Sequence, residues 1–273
     1  MTSNAKMKLT KRDRTPAAVP ERLLGIWSHP DDEAYLSAGL MARTVAKGGS
    51  VTVVSLTDGE GGFPDADPRC REERARHRRG ELRTAMGAIG VTDLRFMGLD
   101  DGAMDKTPEG QVVDDLVALI NEVQPDVVVT FGPDGFTGHD DHVVTWKLAT
   151  RAWLTSDAQG ELWYAARTES WHDAWGDLHD EFGVWMTQEP TSVRSAPSDI
   201  VLTLTPKELD VKRTVLAGHE SQTAGLAEAF GEDRYRQWIS EETFREPVWH
   251  ELDAAIEFTE DGALYEELAA LVG

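Results

Sequence analysis

Short apolar runs alternate with amphipathic stretches along the first half of the chain. Residues 23–28 form one such run, ended by His29-Pro30, and residues 33–47 then carry helical spacing at Leu36, Leu40, Thr44 and Lys47 until Gly48-Gly49 stops it. Residues 51–56 are a second buried-type strand, and an Arg-rich helix follows from about 70 to 88. A third strand at 94–97, a third helix at 112–123 and a fourth strand at 127–131 continue the alternation, the last running into Gly132-Pro133-Asp134-Gly135. Strands alternating with helices of this length predict right-handed crossovers and a parallel sheet. The fold class expected is α/β, a Rossmann-like, mostly parallel sheet flanked by helices, with the active site at the carboxyl ends of the strands.

The rest of the chain is less regular. Residues 146–154 and 207–218 read as helices and 200–204 as a strand, whereas 163–185 has no clear period and is expected to be irregular cover over the site. Residues 1–20 are polar and basic with Pro16 and Pro20, and are expected to form a flexible arm ahead of a single domain over 21–273.

Composition narrows the possible partners. A formal charge of −22 on 273 residues repels nucleic acid and anionic lipid, because binding to either rests on neutralisation by Lys and Arg. Neither nucleic acid nor membrane is therefore an expected partner, while the oligomeric state stays open. The longest apolar run falls short of the roughly 18 residues that span a bilayer, and the first residues lack the apolar stretch of a secretion signal. A soluble, cytoplasmic protein is expected. The lone cysteine, Cys70, agrees with a reducing compartment and reads as a bystander thiol.

Two clusters carry the candidate chemistry. His29, Asp31 and Asp32 follow the first strand directly, with Pro30 fixing the backbone between them. Carboxylates beside a histidine on a stiff turn are costly unless they share something positive, and a divalent metal such as zinc is the simplest candidate. Alone, they could equally cap the next helix. The second cluster, His139, Asp140, Asp141 and His142, follows the fourth strand, and a parallel sheet brings both strand ends to one edge.

The run His29-Pro30-Asp31-Asp32-Glu33 with Gly138-His139-Asp140-Asp141-His142 resembles the paired signature of PIG-L/LmbE-like zinc-dependent N-deacetylases. Similarity extends through residues 57–62, 78–82, the turn at 100–102 and residues 218–222, so it covers roughly 22–225. The resemblance implies one zinc ion on His29, Asp32 and His142, with Asp31 as general base. It also implies that His139 stabilises the oxyanion or protonates the leaving amine, and that Asp141 orients His139. Arg78, Asp100 and His219 come out as substrate-side residues, His219 in support from behind. The implied substrate is an N-acetylated amino sugar or glycoconjugate, such as an N-acetylglucosamine unit. One departure is Thr137, where mycothiol-pathway members carry an aromatic hydroxyl, and this weakens assignment to that pathway.

Other features are plainer. Arg69, Arg71, Arg74, Arg76, Arg79 and Arg83 read as a solvated helix face with Glu72/Arg76 pairing, Arg78 apart. Trp163, Trp171, Trp175 and Trp185 could stack on a sugar or belong to the core. Two His and one carboxylate also suit a non-haem Fe(II) oxygenase, although those enzymes place their ligands on an all-β jelly roll. A catalytically inactive sugar-binding homologue is the third possibility, and retention of Asp31 speaks against it.

Overall fold

A computed structural model describes residues 19–186 and 200–256. All but the last two positions of the expected N-terminal arm, and the end of the chain from 257, lie outside the described residues. Strands β1 (Arg22–Trp27), β2 (Ser50–Thr57), β3 (Asp93–Leu99) and β4 (Val127–Phe131) alternate with helices α1 (Asp32–Ala46), α2 (Arg71–Gly87) and α3 (Glu109–Val123), as the apolar pattern predicts. Helix α4 (Asp140–Thr155) starts earlier than its apolar spacing suggests, because the His139-Asp140-Asp141-His142 cluster forms its first turn.

The second half comprises β5 (Glu161–Ala166), α5 (Glu169–Glu181), β6 (Ile200–Thr203), α6 (Pro206–Ala217), α7 (Glu220–Phe230), α8 (Glu232–Trp238), β7 (Glu241–Arg245) and α9 (Trp249–Ile256). The expectation of irregular structure over 163–185 is thus wrong. Trp163 lies on β5, whose continuous apolar run is buried from Leu162 onward. Trp171, Trp175, Leu178 and Phe182 recur at helical spacing on and just after α5, while Gly176 and several Asp and His residues obscure that period.

Seven strands form one sheet in the order β3-β2-β1-β4-β5-β7-β6. The first five are mutually parallel; β7 is antiparallel to both β5 and β6. Connections run from β1 outward to β3, then return across β1 to β4, so the crossover direction reverses between β1 and β4. That is where a parallel sheet opens a crevice beyond its strand ends. Leu23 pairs with Val127 and Gly25 with Val129, which brings Trp27 and Phe131 to one level, their rings 5.1 Å apart. The residues after these two strands therefore emerge side by side.

A buried ion pair ties α1 to the antiparallel end. Glu242 of β7 accepts the Gly39 and Leu40 N–H groups at 2.7 and 2.9 Å, and Lys212 of α6 donates to Glu242 at 2.9 Å and to the Tyr35 carbonyl at 2.7 Å. Both charged side chains are wholly buried, a placement tolerated only because each is paired and hydrogen-bonded. The helix carrying Asp32 is thereby held against the second half of the fold.

Candidate metal centre

His29 and His142 meet where β1 and β4 end. Ser28 Oγ lies 2.7 Å from Thr145 Oγ1 and donates to the Asp141 carbonyl at 3.1 Å, joining the two motifs behind the site. The His142 ring stacks on Phe131 at 4.1 Å with 12° between planes. From there, His142 Nε2 is 3.2 Å from His29 Nδ1 and 3.3 Å from Asp32 Oδ1, and His29 Nδ1 is 3.7 Å from Asp32 Oδ2. An ion bound tetrahedrally at about 2.0–2.1 Å needs ligand atoms roughly 3.3 Å apart. The three residues thus make a candidate metal site with one face left open.

The outer nitrogens fix which atoms point inward. His142 Nδ1 donates to the Gly135 carbonyl at 2.8 Å, which leaves the Nε2 lone pair toward Asp32. Gly135 adopts φ +62°, and a Cβ there would come within 3.0 Å of the His142 Cβ, so the turn that offers this carbonyl needs glycine. His29 Nε2 lies 3.1 Å from Asp101 and 3.2 Å from Asp141, which leaves Nδ1 free. Burial alone would lower the His29 pKa, but Asp101, Asp141 and Asp32 overcome it and push it up to about 10. Burial opposes ionisation of Asp32, yet the neighbouring His142 and His29 hold its carboxyl well below the usual range. Without a cation this cluster stores charge; with one it is a ligand set.

Asp31 sits beside these atoms at φ 136°, a conformation sparsely populated outside glycine. Its N–H donates to Glu33 Oε2 at 2.9 Å, and Glu33 Oε1 is 2.7 Å from Nε2 of the fully buried His219. Arg78, 2% exposed, donates to the Pro30 carbonyl and, at 2.9 Å, to the Gly59 carbonyl, and lies 3.3 Å from Asp31 Oδ2. Burial pushes the Asp31 pKa up to about 6, Arg78 restrains that rise and Asp32 adds to it. The result is a strained, held carboxylate of a strength suited to taking a proton near neutrality.

His139 caps α4: its Nδ1 accepts the Asp141 N–H at 3.1 Å, so the neutral ring carries its proton on Nε2. Its ring lies 4.8 Å from that of His29 and 4.9 Å from that of His142. Burial, then the neighbouring His29 and His142, lowers its pKa and favours this neutral donor form. A second trio, His29, His139 and Asp141, also clusters at metal-binding range. Its Asp141 carboxylate, however, already accepts the Gly102 and Met104 N–H groups at 2.8 and 3.3 Å.

Several expected roles change. The Asp141 carboxylate meets His29 rather than His139, so what Asp141 orients directly is a candidate ligand. Asp100 is 74% exposed and pairs with Arg71; its neighbour Asp101 is the one that reaches His29. A doublet of aspartates in a turn leaves that one-position choice open in the sequence. Arg78 and His219 are buried behind Asp31 and Glu33, outside the cavity wall. The arginines of α2 are not simply solvated either, since Arg71 pairs with Glu60, Arg79 with Asp58 and Arg74 with Asp67.

A cavity of about 330 Å³ opens from the candidate ligands and is lined by Asp31 and His139 beside them and by Tyr35, Phe136, Trp171 and Trp238, the Tyr35 ring lying 5.5 Å from that of Trp238. Thr137 lines it too. Trp163 is core instead.

The model of the family described as "PIG-L: GlcNAc-PI de-N-acetylase" matches residues 24–153, a span that includes both motifs. Over that span, just under half of the chain, the sequence is similar to the PIG-L family. Among curated relatives, the 1D-myo-inositol 2-acetamido-2-deoxy-alpha-D-glucopyranoside deacetylase of Streptomyces griseus is 40% identical over 153 residues, 48% of this chain and 48% of that protein. The chain thus spans about half the length of this relative and of the same-named protein of Streptomyces avermitilis. The N,N'-diacetylchitobiose deacetylase of Pyrococcus horikoshii shares the fold with TM-score 0.55 and 21% identity, over 83% of each chain. So does the 4-carboxy-2-hydroxymuconate hydratase of Pseudomonas putida, with TM-score 0.55 and 15% identity over 84% of this chain and 97% of that one. Fold alone therefore does not select the reaction.

Proposed function

We propose that this chain is a zinc-dependent N-deacylase of the PIG-L type, acting on an N-acetylated amino sugar or glycoconjugate. The observation that carries the reading is the trio His29 Nδ1, Asp32 and His142 Nε2, spaced for a tetrahedral ion, with both outer imidazole nitrogens tied to the protein. A zinc ion held there supplies Lewis acidity, lowering the pKa of a bound water towards about 7.

The chain's own groups account for the rest. Asp31, held by Glu33 and restrained by Arg78, takes the proton from the attacking water. His139, with its Nδ1 committed to the Asp141 N–H, presents Nε2–H to the oxygen on which negative charge develops. Proton return to the leaving amine falls to Asp31 once it is protonated, since its pKa of about 6 makes it a competent acid as well as a base. The names of the relatives support an acetamido sugar as substrate.

The oxygenase alternative loses its footing, because the candidate ligands stand on a parallel α/β sheet rather than a jelly roll. Loss of catalysis fits poorly with a strained, elevated-pKa Asp31 beside the open face. The test is release of free amine from a panel of N-acetylated amino sugars by zinc-loaded protein in the absence of oxygen and 2-oxo acid. Turnover supports the reading; a requirement for oxygen and 2-oxo acid overturns it.

A further inference from the structure

The two ends of the cavity differ in what they can offer a ligand. At the candidate metal, Asp31 and His139 present polar groups. Farther out the wall is formed by Leu36, Phe136, Trp171, Val184, Leu226 and Trp238, contributed by five separate parts of the chain. The indole N–H groups do not face the space. Trp238 Nε1 donates to His179 Nε2 at 2.8 Å, and Trp171 Nε1 donates to the Trp238 carbonyl at 3.4 Å. His179 can accept because burial, followed by the charge of Arg167 and the nearby His172, holds its pKa down to about 3 and keeps the ring neutral.

Most polar side chains on this outer wall also have partners. Arg167 donates to the Phe136 carbonyl and to Asp134 at 3.0 Å, and lies between the rings of Phe136 and Trp185 at 4.8 and 4.6 Å. Glu242 is committed to Lys212 and α1, Glu241 accepts from Thr168 and Thr243, and Gln222 donates to the Gly62 carbonyl at 2.9 Å. A hydroxyl-rich group placed here would shed water and find few partners, since most are engaged and Arg167 Nε and His179 Nδ1, which have none, are themselves buried from solvent; an apolar group does not suffer that loss.

We propose that the outer half of this cavity binds an apolar group of the substrate, an alkyl or aryl moiety attached to the amino sugar either at the glycosidic position or as the acyl chain. The proposal rests on the deacylase reading for its scissile amide. A fully hydroxylated partner such as a second bare sugar or a cyclitol is the group this wall disfavours.

Two pairs of substrates separate the sources, with zinc-loaded full-length protein: methyl against phenyl N-acetyl-β-D-glucosaminide, and N-acetyl- against N-hexanoyl-glucosamine. Burial of a phenyl or pentyl group predicts at least about a tenfold higher kcat/KM for the apolar member of one pair. A gain in the first pair assigns the wall to the aglycone, and a gain in the second assigns it to the acyl chain. Leu226→Asp should bring the favoured ratio down towards one; if that variant does not fold, Leu226→Ser reads the same ratio. Ratios near one in both pairs would overturn the proposal and leave the deacylase reading standing. Should none of the four be hydrolysed, the deacylase reading falls. The wall is then judged by tryptophan fluorescence titration with phenyl against methyl β-D-glucoside, where at least tenfold tighter binding of the phenyl compound upholds it and equal affinity overturns it.

Discussion

The parallel half of the sheet and its antiparallel end build the same cavity by different means. β1 and β4 deliver the candidate ligands as two contiguous motifs, His29 to Glu33 and His139 to His142, because a strand end in a parallel sheet places consecutive residues at the crevice. The far end delivers Trp171, Val184, Leu226 and Trp238, single residues from separate elements that meet only after the chain has folded. One half specifies chemistry locally and the other specifies fit globally. They are joined by Lys212 and Glu242, which fasten α1, and with it Asp32, to β7.

That joint is where the largest effect on stability is expected. Lys212→Met leaves Glu242 buried without its cation, and breaking a buried pair in this way costs about 3–5 kcal/mol. The loss should appear as a lower midpoint in denaturant-induced unfolding; an unchanged midpoint would mean that the two halves hold together without the pair. Next comes His139→Ala, expected to lower kcat by about 10²-fold, the scale of losing one oxyanion donor, with zinc content unchanged. Retained kcat would remove His139 from the reaction.

A smaller effect distinguishes two roles for Asp141. Its carboxylate meets His29 at 3.2 Å, so Asp141→Asn should weaken zinc binding by about 10- to 100-fold, as loss of a partner behind a ligand does. Unchanged zinc affinity with reduced kcat would favour the role implied by resemblance, in which Asp141 serves His139.

What the sequence made legible follows the same division. The apolar runs at 23–28, 51–56 and 127–131 marked the strands, and the residues just beyond them marked the site, because strand ends and ligand motifs are both local in sequence. Asp101 was hidden behind Asp100, since a turn's outward and inward residues look alike until the fold decides which faces His29. Glu33 and His219 stand 186 residues apart, and only the packing of α6 against α1, which brings the junction after α6 to Glu33, makes them partners. Trp238 carried no periodic signal that separated it from core, and β7 was obscured because Glu242 and Arg245 are buried charges whose partners, Lys212 and Glu251, lie elsewhere in the chain.

The central claim is that ligand and base are adjacent residues with separate duties. It is tested most directly by measuring zinc content and deacetylation rate on the same preparations of Asp31→Asn and His142→Ala. Asp31→Asn should hold about one zinc per chain while its kcat falls by about 10²- to 10⁴-fold, the range attributed to a general base. His142→Ala should lose both zinc and turnover. An Asp31→Asn protein that fails to hold zinc, or a His142→Ala protein that holds it and turns over normally, would contradict the account.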